Sequence, residues 1–177
     1  TICSECKNGR YQDQNLAASV TCLGCGAGQY TSAKEVACSV CADGKFQDLA
    51  AAVEYDCKFC AKGTKFKALN AGCDACKAGR YQEQATAPSV SCKDCTSGSQ
   101  FKDKESLCDG CVAGKYQEEN AGASVSCKFC AAGTSFTAKS TACAGCDTGK
   151  YQEQSDAASV LCKFCAAGLA FATKSTA

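Results

Sequence analysis

The sequence predicts a small disulfide-rich fold, mostly irregular with short β-hairpins, built as an elongated rod of tandem repeats without a single hydrophobic core. The 177-residue chain has 20 cysteines and neither Trp nor Met. Too few large apolar side chains remain for a packed interior, so covalent cross-links must supply the order. The cysteines also recur with a period of 35 residues, which is the signature of a stacked array.

The period divides the chain into five repeats, residues 1–37, 38–72, 73–107, 108–142 and 143–177. Each repeat has two C-x-x-C pairs, so that loops of 15 and 12 residues alternate along the chain. The first repeat begins almost directly on Cys3, and the period would place another cysteine just after Ala177. We therefore expect the chain to be a segment of a longer array or the protomer of a filament.

Every loop opens in the same way. A glycine stands three residues after the second cysteine of each pair, and we expect it to adopt a positive φ that turns the chain back. These glycines are Gly9, Gly28, Gly44, Gly63, Gly79, Gly98, Gly114, Gly133, Gly149 and Gly168. An aromatic residue follows two or three positions later: Tyr11, Tyr30, Phe46, Phe66, Tyr81, Phe101, Tyr116, Phe136, Tyr151 and Phe171.

The long loops predict β-hairpins. One strand is expected in segments such as GKYQEQ, and the other in segments such as SVLCKFC, where a β-former stands two residues before the cysteine. Those β-formers are Val20, Tyr55, Val90, Val125 and Val160. The short loops carry less pattern and are predicted to be irregular. No helix is expected beyond a turn in segments such as residues 49–54.

The chain has no histidine, which removes the commonest general base and every Ser/His/Asp or Cys/His arrangement. We therefore predict no enzymatic activity, no catalytic residue and no cofactor. A redox C-x-x-C site would be one activated pair at a helix start, whereas this chain has ten equivalent pairs. Zinc stays an alternative, because C-x2-C-x15-C-x2-C suits a four-thiolate site, first formed by Cys3, Cys6, Cys22 and Cys25.

Disulfides are the preferred interpretation, with two connectivities open. One joins first to third and second to fourth cysteine across a long loop, as Cys3 to Cys22 and Cys6 to Cys25. The other closes each loop as its own ring, and we prefer it because both loop types share one opening. Its pairs are Cys6–Cys22, Cys25–Cys38, Cys41–Cys57, Cys60–Cys73, Cys76–Cys92, Cys95–Cys108, Cys111–Cys127, Cys130–Cys143 and Cys146–Cys162. Cys3 and Cys165 would then bond outward, to a continuing array or to an adjacent copy.

The charge pattern and the lengths of the apolar runs indicate which classes of partner to expect. The net charge is +1 with both signs interleaved, so nothing indicates nucleic-acid binding. No apolar run is long enough for a membrane span in this segment. Disulfides persist in oxidising compartments, which predicts an extracellular or cell-surface protein made in the secretory pathway. No asparagine lies in an N-glycosylation sequon, while the Ser- and Thr-containing loops are compatible with O-linked glycans.

The pattern C-x2-C-x2-G-x-[YF]…C-x2-C resembles the cysteine-rich modules of tumour necrosis factor receptors. It is more similar still to the ephrin-receptor-like cysteine-rich repeats of large extracellular proteins, as in CKAGRYQEQATAPSVSCKDCTSG, residues 76–98. The resemblance covers all five repeats. It implies the ring connectivity, with Cys6 bonded to Cys22 and Cys25 to Cys38, and makes a ligand-binding ectodomain of a receptor or adhesin an alternative function.

Near-identity among the repeats favours another function. A periodic filament needs each copy to meet the same neighbours, whereas a binding site needs some copy to differ. We therefore predict a structural protein that forms or lines a fibril, a surface appendage or a wall-like layer, through self-association or continuation of the same array.

Overall fold

A computed structural model describes residues 3–50 and 56–176. The predicted Tyr55 and most of the segment 49–54 lie outside these ranges. Within them no α-helix occurs, and nine disulfides divide the chain into closed rings. The predicted small, disulfide-rich and mostly irregular fold with short hairpins is confirmed.

The described strands are two residues long and form six antiparallel pairs. Disulfide closure explains their position, because a ring holds its two cysteine Cα atoms 5.6–5.8 Å apart, close to the spacing of paired strands. The pairs are β1 (Arg10–Tyr11) with β2 (Leu23–Gly24), β3 (Gln29–Tyr30) with β4 (Ser39–Val40), β5 (Thr64–Lys65) with β6 (Asp74–Ala75), β7 (Ser99–Gln100) with β8 (Asp109–Gly110), β9 (Thr134–Ser135) with β10 (Ala144–Gly145), and β11 (Lys150–Tyr151) with β12 (Lys163–Phe164).

The prediction that the short loops are irregular is wrong. Four of the six described pairs belong to them, β3–β4, β5–β6, β7–β8 and β9–β10. In each, the residue after the turn glycine pairs with a residue just past the closing cysteine, as Gln29 does with Val40. The disulfide thus fixes a register that residue preference alone did not indicate.

The hairpins of the long loops are shorter than predicted. Tyr151 pairs with Lys163 and Lys150 with Phe164, while Val160 lies outside the strand. The preceding Ser159 has a φ of 56°, which interrupts an extended strand. Ser89 and Ser124 share this conformation, with φ values of 51° and 58°.

All ten turn glycines have positive φ, between 73° and 89°, as predicted. An L-residue with a side chain is disfavoured there because its Cβ crowds the following carbonyl oxygen.

By contacts, the chain forms two compact units. The first comprises Thr1–Cys76 and Gln82–Cys92, and the second comprises Lys77–Tyr81 and Lys93–Ala177. The buried residues of the first unit include Cys25, Cys41, Cys60, Cys76 and Val90; those of the second include Cys95, Cys111, Cys130, Cys146, Val125 and Val160. In both units, half-cystines take the place of a conventional apolar core.

Candidate functional site

The structure places the cysteines in one ring per loop. The long rings are closed by Cys6–Cys22, Cys41–Cys57, Cys76–Cys92, Cys111–Cys127 and Cys146–Cys162. The short rings are closed by Cys25–Cys38, Cys60–Cys73, Cys95–Cys108 and Cys130–Cys143. Where both cysteines of a C-x-x-C pair are bonded, the first therefore closes one ring and the second opens the next. Over the described residues, Cys3 and Cys165 are the two free thiols.

The four cysteines of the zinc hypothesis are not brought together as thiolates. Cys6 is bonded to Cys22 and Cys25 to Cys38, whereas a structural zinc site requires deprotonated cysteines. In residues 3–50 and 56–176, no group of three or more His, Cys, Asp or Glu side chains is placed to hold a metal ion.

Successive rings are joined first by a hydrogen bond from a turn glycine of a short ring. In the first unit, the Gly28 amide donates to the Gln47 carbonyl at 2.6 Å and Gly63 donates to Gln82 at 2.8 Å. In the second unit, Gly98 donates to Gln117 and Gly133 to Gln152, both at 2.7 Å. Each of these bonds connects a short ring to the long ring that follows it.

A second contact uses the phenylalanine of the short ring. The amides of Phe66, Phe101 and Phe136 donate to the carbonyls of Val90, Val125 and Val160, at 2.8, 2.8 and 2.9 Å. The three valines are only 5–7% exposed. The valines that the sequence assigned to strands thus serve as ring-to-ring contacts instead.

A third contact joins consecutive long rings. The amides of Ser89, Ser124 and Ser159 approach the carbonyls of Gly44, Gly79 and Gly114 at 3.3, 3.5 and 3.4 Å. A methyl group built on Gly79 would lie 2.0 Å from the Ser124 nitrogen, far inside van der Waals contact. These glycines are therefore required both for their positive φ and for the close approach of the next ring.

A buried glutamine supplies the carbonyl that accepts each glycine hydrogen bond. Gln47, Gln82, Gln117 and Gln152 are 1–3% exposed. The Nε2 group of Gln117 donates to the Glu119 carbonyl at 2.9 Å, and Gln82 and Gln152 make the equivalent bond at 2.7 Å. This role was not predicted from the sequence, although a glutamine directly follows the aromatic residue of every long loop.

Lysines cover the aromatic rings of the long-loop hairpins. The Lys128 amine lies 5.2 Å from the centre of the Tyr116 ring, and Lys115 on the other strand lies 4.4 Å from the Phe129 ring. One repeat later, Lys150 lies 5.2 Å from the centre of the Phe164 ring and Lys163 lies 5.4 Å from that of Tyr151. Such cation–π pairs each contribute about 0.5–1 kcal/mol at exposed sites.

Two of these lysines, Lys128 and Lys163, also form ion pairs with acidic residues across the hairpin. Lys128 donates to Glu118 at 3.0 Å and Lys163 to Glu153 at 2.9 Å. Hydrogen bonds to these lysines lower the pKa of both glutamates below the ordinary value of 4.5. The glutamates in turn raise the pKa of Lys128 and Lys163.

The first unit contains an open groove of about 700 Å³. Phe66, Leu69 and Val40 supply apolar lining, and Asp43, Asn70 and Ser89 supply polar groups. This groove is where the first unit could accommodate a small ligand.

Some residues of the first and the last repeat are more exposed than their equivalents in the other repeats. Val20 is 45% exposed, against 5–7% for the three buried valines of other long rings. Gly168 is exposed while Gly28 and Gly63 are buried.

No protein-family model matches this chain, and no curated protein matches it. The repeated disulfide-rich fold is compatible with an extracellular cysteine-rich repeat protein, since its many disulfides fit an oxidising environment. In the part of the chain that the structure describes, no helix is long and apolar enough to cross a membrane.

Proposed function

We propose that this protein is a structural component of the cell exterior, which forms or lines a fibril, a surface appendage or a wall-like layer. The observation that carries the proposal is the recurrence of the same ring-to-ring contacts. The glycine-to-glutamine bond, for example, varies only between 2.6 and 2.8 Å over four occurrences. Repetition of one contact is what a periodic material uses.

The chemistry of these contacts supports a structural role. They connect main-chain amides to main-chain carbonyls, so each ring offers its neighbour the same surface whatever its exposed side chains are. A protein that recognises a ligand needs side chains placed differently in at least one copy. In this chain, the ring-to-ring contacts are instead the same from one repeat to the next.

The self-association includes a disulfide between Cys165 of one copy and Cys3 of the next. Shifted by five repeats of 35 residues, Cys3 takes position 178, which is 13 positions after Cys165, the separation that closes every described short ring. The two thiols lose two protons and two electrons as the S–S bond forms. A small-molecule disulfide takes them up and becomes two thiols.

The location follows from the same chemistry. Nine disulfides form and persist in an extracellular or cell-surface setting that is reached through the secretory pathway. Exposed hydroxyl groups, such as those of Ser140 and Thr141, offer positions for O-linked glycans. Membership of the ephrin-receptor-like or tumour necrosis factor receptor-like repeats stays a prediction from the cysteine pattern.

The proposal is tested by mass spectrometry of the native protein after alkylation of free thiols, combined with electron microscopy. We expect the nine ring disulfides, a Cys165–Cys3 peptide that links two chains, and a polymer in the micrographs. Dispersed monomers with both thiols alkylated would contradict the proposal. The zinc alternative predicts twenty alkylatable cysteines and bound zinc in the same measurement.

A ligand-binding ectodomain is the second candidate, favoured by the groove beside Phe66. It predicts that the native protein is a monomer, so the same micrographs separate it from a structural polymer.

A further inference from the structure

We infer that the open groove of the first unit binds a small organic cation with an apolar body, of the arylalkylammonium type. The apolar body lies against Phe66, Leu69 and Val40, and the ammonium group faces the carboxylate of Asp43. This site goes beyond the proposed structural role and is independent of whether the chains form a polymer. All of its lining residues fall within residues 27–89 and belong to the first unit.

Successive rings supply the walls of the groove and hold them in place. A methyl group built on Gly28 of one short ring would meet the carbonyl carbon of Leu69, in the next short ring, at 3.4 Å. Gly44 of a long ring lies equally close to Pro88 and Ser89 of the following long ring. The groove is therefore formed before a ligand arrives, which lowers the entropic cost of binding.

The apolar lining arises where the second repeat departs from the other four. Leu69 takes a position at which every other repeat has a lysine, namely Lys34, Lys104, Lys139 and Lys174. Val40 takes a position that is elsewhere charged or small, namely Glu5, Ala75, Gly110 and Gly145. Large apolar side chains stand at these two positions in this repeat alone, so the groove is not a product of the repeat pattern.

Leu69 is not needed for the contact between rings. The Gln47 amide donates to the Leu69 carbonyl at 2.9 Å in the first unit. In the second unit, the Gln117 amide donates to the Lys139 carbonyl at 2.8 Å. The same main-chain contact is thus made with a leucine or with a lysine, and the leucine side chain is left to shape the groove.

Asp43 gives the groove its charge. Among the described residues that line the groove it is the only charged one, and the other repeats have Asn8, Ala78, Ala113 and Thr148 at its position. Within residues 3–50 and 56–176 its carboxylate has no ion-pair or hydrogen-bond partner. The amine of Lys45, next to Gly44 in sequence, lies instead over the Phe59 ring at 4.6 Å. An unpaired carboxylate beside an apolar surface favours a ligand with a positive charge.

The half-buried Phe66 ring favours the same charge. Lysines lie over the aromatic rings of the long-loop hairpins, as Lys93 does over Tyr81 at 5.9 Å. In the part of the chain that the structure describes, no lysine or arginine covers the Phe66 ring. The face of such a ring attracts a ligand ammonium group and repels an anion.

The experiment titrates the oxidised full-length chain with phenethylammonium and follows the amide chemical shifts. Phenethyl alcohol and phenylacetate are the matched probes, because they keep the aromatic body and change the charge. We expect the ammonium probe to bind with a Kd in the millimolar range, as suits so small a ligand, and to shift the amides of Gly44, Phe66 and Leu69. The alcohol should bind about threefold more weakly, and phenylacetate about tenfold or more.

Two variants use residues that the fold already accepts at the equivalent positions. Leu69→Lys introduces the lysine of the other repeats, which removes apolar lining and adds a like charge, so the Kd should rise about tenfold or more. Asp43→Ala introduces the alanine of two other repeats and should raise the Kd about fivefold. Asp109→Ala makes the same change of net charge in the second unit and should bind the probe as the wild type does.

The outcomes separate as follows. Shift changes of equal size in both units, or changes that persist unaltered in Leu69→Lys, would overturn the groove as the binding site. Equal affinity for the three probes, or for Asp43→Ala and Asp109→Ala, would overturn the preference for a cation. Absence of any shift up to the solubility of phenethylammonium would overturn the site altogether. The amide spectra of the free variants establish that each has folded, and electron micrographs report separately on polymer formation.

Discussion

Arg80 and Asp94 form a two-pronged ion pair, with Nε and Nη2 of the arginine 2.8 and 2.9 Å from the two carboxylate oxygens. One repeat later the same two positions hold Lys115 and Phe129, which form a cation–π pair. The cross-strand pair has thus changed its chemistry while the hairpin backbone is kept, since Tyr81 still pairs with Lys93.

Replacing Asp94 tests what this pair contributes. We expect Asp94→Ala to lower the opening free energy at the Tyr81 amide by about 0.5–1 kcal/mol, because an ion pair whose arginine stays 45% exposed contributes that little. Asp94→Phe should lower this opening free energy by less, since Arg80 can then lie over an aromatic ring. Hydrogen exchange at Tyr81 measures both. Asp109→Ala removes a more exposed partner, 3.9 Å from Lys102, and should leave Tyr81 unchanged.

The Glu118–Lys128 pair predicts a dependence on pH. The pKa of Glu118 is lowered by its hydrogen bond to Lys128, so its contribution to stability is complete above the ordinary pKa of 4.5 and is lost as the pH falls through the lowered pKa. The pKa of Lys128 is raised by Glu118, so this contribution is complete below the ordinary pKa of 10.5 and is lost as the pH rises through the raised pKa.

Carboxyl chemical shifts report this coupling directly. Glu118 should titrate below 4.5, and Lys128→Ala should move its midpoint upward towards that ordinary value. Lys163→Ala should act on Glu153 and leave Glu118 unchanged, which makes it the matched control. A Glu118 midpoint that ignores Lys128→Ala would show that the ion pair does not persist in solution.

Two glycines with nearly the same φ separate backbone strain from crowding. Gly149→Ala should lower the free energy of unfolding by about 1–2 kcal/mol, because a left-handed conformation is disfavoured for an L-residue. Gly79→Ala has the same strain and also places a methyl group 2.0 Å from the Ser124 nitrogen. We expect Gly79→Ala to lower the free energy of unfolding by about 1–3 kcal/mol more than Gly149→Ala does. Urea unfolding of dilute oxidised chains measures both losses. Equal losses would argue against the close ring-to-ring approach.

Replacing the buried Gln117 by glutamate should destabilise the fold. In Gln117→Glu the donor to the Glu119 carbonyl is lost, and a buried acceptor without a partner costs about 1–3 kcal/mol. Burial should also raise the pKa of the introduced acid, so stability should recover as the pH falls through that raised pKa. Gln154→Glu is the control, because residue 154 is exposed and its substitution should be neutral. A Gln117→Glu chain as stable as wild type at pH 7 would contradict the assigned role.

Local features of the fold could be predicted because they depend on local chemistry. A glycine at a fixed offset from a cysteine implies a positive φ, and all ten glycines adopt it. The ring-to-ring contacts could not be predicted, because they join residues 19 to 45 positions apart through main-chain groups that have no residue-specific signature. The role of Gln117, the turn at Ser124 and the position of Val125 outside a strand all follow from those contacts.

Ring closure also determines how the chain would respond to tension. The Cα atoms of Cys6 and Cys22 lie 5.6 Å apart although 16 positions separate them. A pull along the chain therefore passes through the S–S bond, and the enclosed loop bears no load. The short C-x-x-C segments, about 10 Å each when extended, are the covalent links between rings and share the force with the ring-to-ring hydrogen bonds. Reduction of one long-ring disulfide would release roughly 50 Å of chain, so reducing conditions would make the chain more extensible under tension.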